Sequence, residues 1–323
     1  MKAICVFSGG LDSMLAASLI RAQDIDVLAL FFETPFFTSA KARESSRILD
    51  IPFRVADITE RHLPIVRNPK HGHGSAMNPC IDCHALMFRI AGEMMEDEGA
   101  DFIITGEVLG QRPMSQNRRS LTLVESESGM TRLILRPLSA KLLEVTVPEE
   151  KGWVNRDLLM DIQGRSRKPQ MALARQLNLT AYQSPAGSCL LTEKEFSKKL
   201  KDLFAFERNV GPNHLELLKV GRHFRIAPQM KVIVGRNKKE NKVIRNLADR
   251  EDFLIFSISV PGPTVLVSGE PSRDQIELAC LIAAAYSDAN DTDSCDLRII
   301  GKSQEKVATV PVPDKGQFRQ YMI

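Results

Sequence analysis

Five apolar residues, Ala3-Ile4-Cys5-Val6-Phe7, run straight into Ser8-Gly9-Gly10-Leu11-Asp12-Ser13, and the chain then continues as MLAASLIRAQ with apolar residues at helical spacing. That order dictates a buried strand, a glycine turn and a helix. A glycine turn at a helix start lets backbone N–H groups approach an anion, and the helix dipole adds to the attraction. Ser8 and Ser13 supply hydroxyl donors. Asp12 would repel a bare phosphate, so it fits the turn only with a Mg²⁺ ion or an ordered turn between them. The spacing differs from both G-x-x-x-x-G-K-[ST] and G-x-G-x-x-G.

The segments that follow keep alternating. DVLALFFET reads as a strand, AKARESSRILD as a helix and PFRVADIT as a strand. HALMFRIAGEMMEDEGA then reads as an amphipathic helix and DFIITGE as a strand. Such alternation predicts an α/β fold with a doubly wound parallel sheet. Ligands of these sheets sit at the carboxyl ends of strands, which aligns Ser8–Ser13, the end of FFET and Thr105-Gly106-Glu107 on one rim. A chain of 323 residues makes two or three domains. With 43% hydrophobic and 26% charged residues it is an ordinary globular composition, not a disordered, collagen-like or disulfide-scaffold one. No apolar run reaches the roughly 18–20 residues of a membrane span. The first residues enter the glycine turn instead of a cleavage site, so a mature cytoplasmic protein without a membrane partner is expected.

Six cysteines divide into two groups. Cys5 and Cys280 lie in apolar runs and read as core, and Cys295, in a polar stretch, reads as incidental. Cys80 and Cys83 stand in Asn78-Pro79-Cys80-Ile81-Asp82-Cys83-His84, just before an amphipathic helix, and Cys189 stands in Ser184-Pro185-Ala186-Gly187-Ser188-Cys189. A C-x-x-C turn alone is a metal site, a redox pair or a nucleophile. His71 and His73, in a glycine loop without a carboxylate cluster, read as part of a flexible loop and not as ligands.

Together these segments resemble a known group. SGGLDS is the signature of the PP-loop of ATP pyrophosphatases, a HUP-like fold. The resemblance implies a five-stranded parallel sheet and cleavage of ATP to AMP and pyrophosphate. It assigns ATP and Mg²⁺ to Ser8, Gly9, Gly10, Leu11, Asp12 and Ser13, with Asp12 catalytic. Backbone around Phe31 and Phe32 would meet adenine beside Thr105, and Gly106 would admit the nucleotide closely. NPCIDC resembles the first-cysteine loop of 2-thiouridylases, with Cys83 on the catalytic position and Cys80 where many of them carry aspartate. TGEVLGQRPMSQ resembles a stretch of 4-thiouridine synthases, and SPAGSCLLTEKEF resembles a second-cysteine loop. The implied activity is ATP-dependent thiolation of a tRNA uridine, with Cys83 and Cys189 catalytic.

Sulfur replaces a uracil oxygen only after adenylation turns that oxygen into part of AMP. The sulfur donor is hydrosulfide or a persulfide carrier. Two thiols suffice for persulfide transfer. Three favour a 4Fe–4S cluster on Cys80, Cys83 and Cys189 with one open iron; Zn²⁺ on these three and His84 is the alternative. Rival functions are a 7-cyano-7-deazaguanine synthase-like enzyme of a small heterocycle with structural zinc, and a non-catalytic RNA-binding protein. Gln111, Ser115 and Gln116 are candidate substrate contacts. Arg112, Arg118, Arg119, Arg165, Arg167 and Lys168 are candidate phosphate contacts or solvated loops.

The expected domains are 1–185, a cysteine loop and connecting helix over 186–210, and a smaller α+β domain over 211–323. Thr192 and Glu195 read as a capping box for the connecting helix. HFRI, KVIVGR, FLIFSISV, TVLVSG, DLRIIGK and KVATVPVP read as strands, and RDQIELACLIAAAYSD as a helix. GRNKKENKVIRNLADREDFLIFSISVPGPTVLV resembles the RNA-binding module of NFACT proteins. That resemblance places Arg236, Lys238, Lys239, Lys242 and Arg245 beside a strand edge, tracking RNA phosphates; a solvated turn or a dimerisation domain are the other readings. The sequence leaves the oligomeric state open.

Overall fold

The computed structural model describes residues 1–182, 189–289, 294–301 and 304–323. It divides into two compact units, Met1–Thr192 and Glu193–Ile323.

The first unit contains β1 (Lys2–Val6), α1 (Leu11–Arg21), β2 (Asp26–Glu33), α2 (Ala40–Ile48), β3 (Phe53–Asp57), α3 (Thr59–Arg67), α4 (Cys80–Glu93) and α5 (Met95–Glu98). β4 (Phe102–Thr105), α6 (Arg118–Ser128), β5 (Ile134–Leu135), α7 (Val147–Glu150) and α8 (Lys168–Gln176) complete it. The five strands lie parallel in the order β3-β2-β1-β4-β5. The alternation of side chains along each strand explains why the sheet must be covered on both faces. Ala3 and Cys5 of β1 join Phe31 in one core cluster, while Ile4 joins Leu28, Leu30, Phe32 and Ile103 in another. The chain winds outward from β1 through β2 to β3 and then crosses to β4 on the other side of β1. The topological switch point therefore lies between β1 and β4, where such folds open a crevice for ligands. The expected α/β class and the five parallel strands are both present.

The second unit contains α9 (Lys194–Phe206), α10 (Pro212–Leu217), β6 (Arg222–Ala227), β7 (Met230–Val234), α11 (Lys238–Leu247), β8 (Phe253–Ser257), β9 (Thr264–Ser268), α12 (Arg273–Ala285), β10 (Ser294–Gly301) and β11 (Gln304–Pro311). Its strands form an antiparallel sheet in the order β11-β10-β8-β9-β7-β6. α12 packs Ala279, Cys280, Ala283 and Ala284 on Val232, Ile255, Val265 and Leu297. These small residues let the helix lie close to the sheet.

Four local readings change. The helix α9 belongs with the second unit, not with a separate connector. Asp202 of α9 explains this, since it pairs with Arg225 of β6 at 2.7 Å and Lys231 of β7 at 3.2 Å. The capping box at Thr192 is absent: Thr192 Oγ1 donates to the Cys189 carbonyl at 2.7 Å, and Glu193 caps α9 without a side-chain bond. The basic run 236–245 is not a turn: from Lys238 it forms the helix α11, whose N-cap Asn237 accepts from the Glu240 amide at 3.0 Å. Cys295 is fully buried in β10, 3.4 Å from Ser257 Oγ, and so is a core residue.

Candidate active site

The glycine turn takes the shape that an anion cradle requires. Gly9 has φ +75°, and a Cβ there would lie 2.5 Å from Ala42 Cα. Only glycine tolerates both the left-handed backbone and the close approach of α2. Ser8 Oγ accepts from the Gly10 amide at 3.3 Å, and Ser13 Oγ donates to the Gly10 carbonyl at 2.8 Å. α1 starts at Leu11 behind an extended Gly10 that offers no side-chain cap. Its first-turn amides are the groups that a phosphate satisfies.

Asp12 adds a second signal. Its Oδ2 accepts from Gln111 Nε2 at 3.0 Å, while its Oδ1 is buried without a hydrogen-bond partner. A buried acceptor of this kind calls for a donor or a cation. An oxygen-seeking Mg²⁺ suits it. Ser115 and Gln116, expected near substrate, are buried at 1% and 5% exposure, whereas Arg112, Arg118 and Arg119 are exposed.

Gly106 follows β4 and touches the same turn. A Cβ on it would lie 2.5 Å from the Ser13 nitrogen and the Asp12 carbonyl carbon. The close approach it permits is to this backbone. Thr105 Oγ1 accepts from the Glu107 amide at 3.4 Å. Phe32 is 3% exposed and its ring is part of the core, so the adenine expectation rests on its backbone alone.

The cysteines are joined to this rim through α4. Cys80 opens α4, Cys83 lies one turn on, and His84 follows. His84 Nδ1 lies 2.8 Å from Glu107 Oε1, and Arg136 Nε donates to Glu107 Oε2 at 3.0 Å. Arg136 also pairs with Glu125. Burial pushes the Glu107 carboxyl up, but Arg136 and His84 outweigh it and hold the group below its ordinary range. Sequence reading missed this chain; the one signal for it was an arginine inside the apolar stretch LILRPL.

Asn78 Nδ2 donates to Cys80 Sγ at 3.2 Å. The Cys83 thiol is pushed well above its ordinary value by burial first, then by the negative charge that Cys189, Cys80 and Asp82 would carry. The three sulfur groups are thus electrostatic neighbours. Backbone bonds bring the Cys189 segment there: Leu190 N donates to Phe36 O at 3.2 Å, and Met77 N to Leu191 O at 3.1 Å. Residues 184–188 of the second-cysteine loop lie outside the described residues. His71 and His73 are not loosely held: His73 Nε2 lies 2.8 Å from the Val66 carbonyl, and the His71 amide donates to Asp82 at 3.0 Å.

Among the described residues no three His, Cys, Asp or Glu side chains are gathered to hold a metal ion. His84, a ligand in the expected zinc alternative, is engaged at Nδ1 by Glu107, which leaves its other ring nitrogen for a metal. Three thiolates of a cubane cluster bind three different irons and need not meet at one point, so the donor set remains compatible with 4Fe–4S.

In the second unit the basic residues differ in freedom. Arg236 is spent on Glu240, Nη2 to Oε1 at 2.6 Å. Lys238, Lys239, Lys242 and Arg245 are exposed on α11. Among the described residues, no helix is long and apolar enough to cross a membrane.

Residues 1–142 match the family model described as "Thiamine biosynthesis protein (ThiI)", and residues 221–322 match the "NFACT protein RNA binding domain". A tRNA-specific 2-thiouridylase MnmA of Karelsulcia muelleri (strain GWSS) is 26% identical over 175 residues, 50% of this chain and 46% of that protein. A probable tRNA sulfurtransferase of Lysinibacillus sphaericus (strain C3-41) is 30% identical over 162 residues, 47% of this chain and 38% of its own. A 7-cyano-7-deazaguanine synthase of Campylobacter hominis is 32% identical over 126 residues, 33% of this chain and 56% of that one. The chain therefore spans about half the length, or less, of the first of these curated relatives. The resemblance read from SGGLDS, NPCIDC and GRNKKEN is borne out at both ends of the chain: residues 1–142 are similar to ThiI-type proteins and residues 221–322 to the NFACT RNA-binding domain.

Proposed function

We propose that the protein is an ATP-dependent, AMP-forming tRNA sulfurtransferase acting on a uridine carbonyl. The observation that carries this reading is the linkage of the three-thiol set to the PP-loop: His84 beside Cys83 bonds to Glu107, and Gly106 before it abuts Asp12 and Ser13. The first-turn amides of α1, with Ser8 and Ser13, bind the pyrophosphate end of ATP. Asp12, steadied by Gln111, holds Mg²⁺ through its other oxygen. The uridine oxygen attacks the α-phosphorus and pyrophosphate leaves. A sulfur nucleophile then adds to the activated ring carbon, and AMP departs with the oxygen.

Cys80, Cys83 and Cys189 are the sulfur-handling residues. They would hold a 4Fe–4S cluster, which when bound supplies an iron open to hydrosulfide. In the persulfide version, the outer sulfur of a persulfide on Cys83 attacks the ring carbon. Cys189 then closes a disulfide with Cys83 and releases the thiolated base, and an external thiol reduces the disulfide. The exposed cations of α11 contribute phosphate contacts to RNA.

The deciding experiment incubates the full chain with ATP, Mg²⁺, sulfide and unmodified tRNA under anaerobic conditions. Thiouridine should appear by nucleoside mass spectrometry with matching AMP. The match to a 7-cyano-7-deazaguanine synthase favours a second reading, a small-heterocycle enzyme. ATP cleavage driven by a free deazaguanine carboxylate, with no thiouridine formed, would replace the first reading by the second.

A further inference from the structure

Several arginines of the second unit are paired: Arg225 with Asp202, Arg236 with Glu240, Arg273 with Glu277 and Arg298 with Glu305. One cluster departs from this. Around Tyr286, at the end of α12, the Arg222 guanidinium lies 5.1 Å from the ring centroid and the Lys315 ammonium 5.7 Å. Arg319 follows Lys315 on the same 3₁₀ turn, Lys315–Tyr321. Among the described residues none of these three cations has an acidic partner within 4.0 Å. Asp314, next to Lys315 in the chain, and Glu195, which lines the cavity beside these residues, are otherwise engaged. Asp314 caps the turn by accepting from the Gly316 amide at 2.7 Å, and Glu195 pairs with Lys198 at 2.8 Å.

Tyr286, Lys315 and Arg319 face a cleft. With Glu195, Lys198 and Ile323 they line an open cavity of ≈ 550 Å³, and Arg222 stands against the Tyr286 ring outside that lining. Its wall is firmly built. Ile323 N donates to His223 O at 3.0 Å, Phe224 bridges to Met322, and the Phe224 ring stands 5.9 Å from Tyr286. Lys315 and Arg319 are exposed and Tyr286 is half-buried, so ring and cations are reachable from solvent.

An aromatic platform bordered by cations without counter-charges is the arrangement that holds a single nucleic-acid strand: bases stack on the ring and phosphates meet the cations. We propose that this cleft is a seat for single-stranded RNA, with a base against Tyr286 and neighbouring phosphates on Lys315 and Arg319. The inference rests on the reading that the chain acts on RNA, and it gives the second unit a base-contacting site distinct from the α11 face.

The test measures fluorescence anisotropy of a short labelled oligouridylate with the full chain across a KCl series. The charge reversal Lys315→Glu/Arg319→Glu sits on exposed positions and should leave the fold intact. It should weaken binding about tenfold or more and flatten the log–log salt slope by about 1.4, two single-strand phosphate contacts. Tyr286→Leu should weaken it about tenfold through lost stacking, and Tyr286→Phe should restore it. Binding by wild type that both variants retain within about twofold overturns the cleft as the seat. Loss only in Lys238→Glu/Lys242→Glu does the same and moves the strand to α11. Equal affinity for uridine monophosphate also overturns it, in favour of a mononucleotide pocket. If wild type binds neither oligouridylate nor tRNA, the RNA reading itself fails.

Discussion

His84 Nδ1 and Glu107 Oε1 stand 2.8 Å apart, which ties the cysteine-bearing end of α4 to the residue after Gly106. Glu107 is 4% exposed and also carries Arg136, which is 3% exposed. Removing the carboxylate charge leaves a buried guanidinium with Glu125 alone. Glu107→Gln should therefore destabilise the first unit by about 3–5 kcal/mol, read as a lower denaturant midpoint. His84→Gln leaves the buried Glu107–Arg136 pair intact and should cost less than half of that. Equal losses in the two variants would show that the pair with Arg136 is not the dominant element.

Asp12→Ala should abolish pyrophosphate release while leaving RNA affinity unchanged. Gln111 touches only the carboxylate oxygen opposite the buried, partnerless one. Gln111→Ala should lower turnover by roughly 10²-fold, the scale of a misplaced catalytic group. A higher Mg²⁺ requirement should accompany that loss. Turnover within twofold of wild type would show that Asp12 needs no such support.

Protein purified without oxygen should carry iron and acid-labile sulfide. Each of Cys80→Ala, Cys83→Ala and Cys189→Ala should lose both, together with thiolation. Pyrophosphate release on tRNA should survive, because the PP-loop is built without these thiols. Iron-free wild type that still thiolates, with Cys80→Ala active, would assign the chemistry to a Cys83–Cys189 persulfide pair.

His62 makes the first unit sensitive to acid. Its ring is fully buried between Phe36 and Phe37, with centroids at 5.8 and 5.7 Å, and neither ring nitrogen has a hydrogen-bond partner. Burial pushes its pKa down from 6.5 to about 4. The unfolded chain takes up this proton near pH 6.5 and the folded chain only near pH 4. Stability is therefore full above the higher value and falls as pH drops through the window, by about 3 kcal/mol in all. His62→Leu should flatten the fall between pH 6.5 and 4.5. Glu107, held below its ordinary carboxyl value, adds a loss of the same sign only under more acidic conditions. An unchanged pH profile in His62→Leu would show that the ring is protonated, or reachable by water, in the fold.

Gly9→Ala should combine a strained left-handed backbone with a Cβ driven 2.5 Å from Ala42. A cost of about 1–3 kcal/mol is expected, together with loss of ATP binding in calorimetry. ATP binding at wild-type strength would mean that α2 can retreat without disturbing the turn.

The strands and the PP-loop were legible because period-two apolar runs and a glycine turn are local signals. AICVF, DVLALFFET and DFIITGE all land within a residue or two of β1, β2 and β4. The helix α11 was not legible, because its only apolar residues, Val243, Ile244 and Leu247, are too few to outweigh a run of lysines and asparagines. Tertiary contact supplies the rest: Ile244 is buried against Leu217, Ile233 and Leu266. The site divides in the same way. Residue types at Ser8–Ser13 and NPCIDC announced their chemistry. The Gln111–Asp12 and Glu107–Arg136 pairings span long sequence separations, and no single motif contains both partners.

The two backbone bonds flanking Cys189, Leu190 to Phe36 and Met77 to Leu191, involve no side chain. A single-residue deletion shifts the register of every donor and acceptor, whereas a replacement keeps these bonds and costs packing only where the side chain is buried, as at Leu191 and Phe36. Divergent relatives should therefore preserve segment length here more strictly than residue identity.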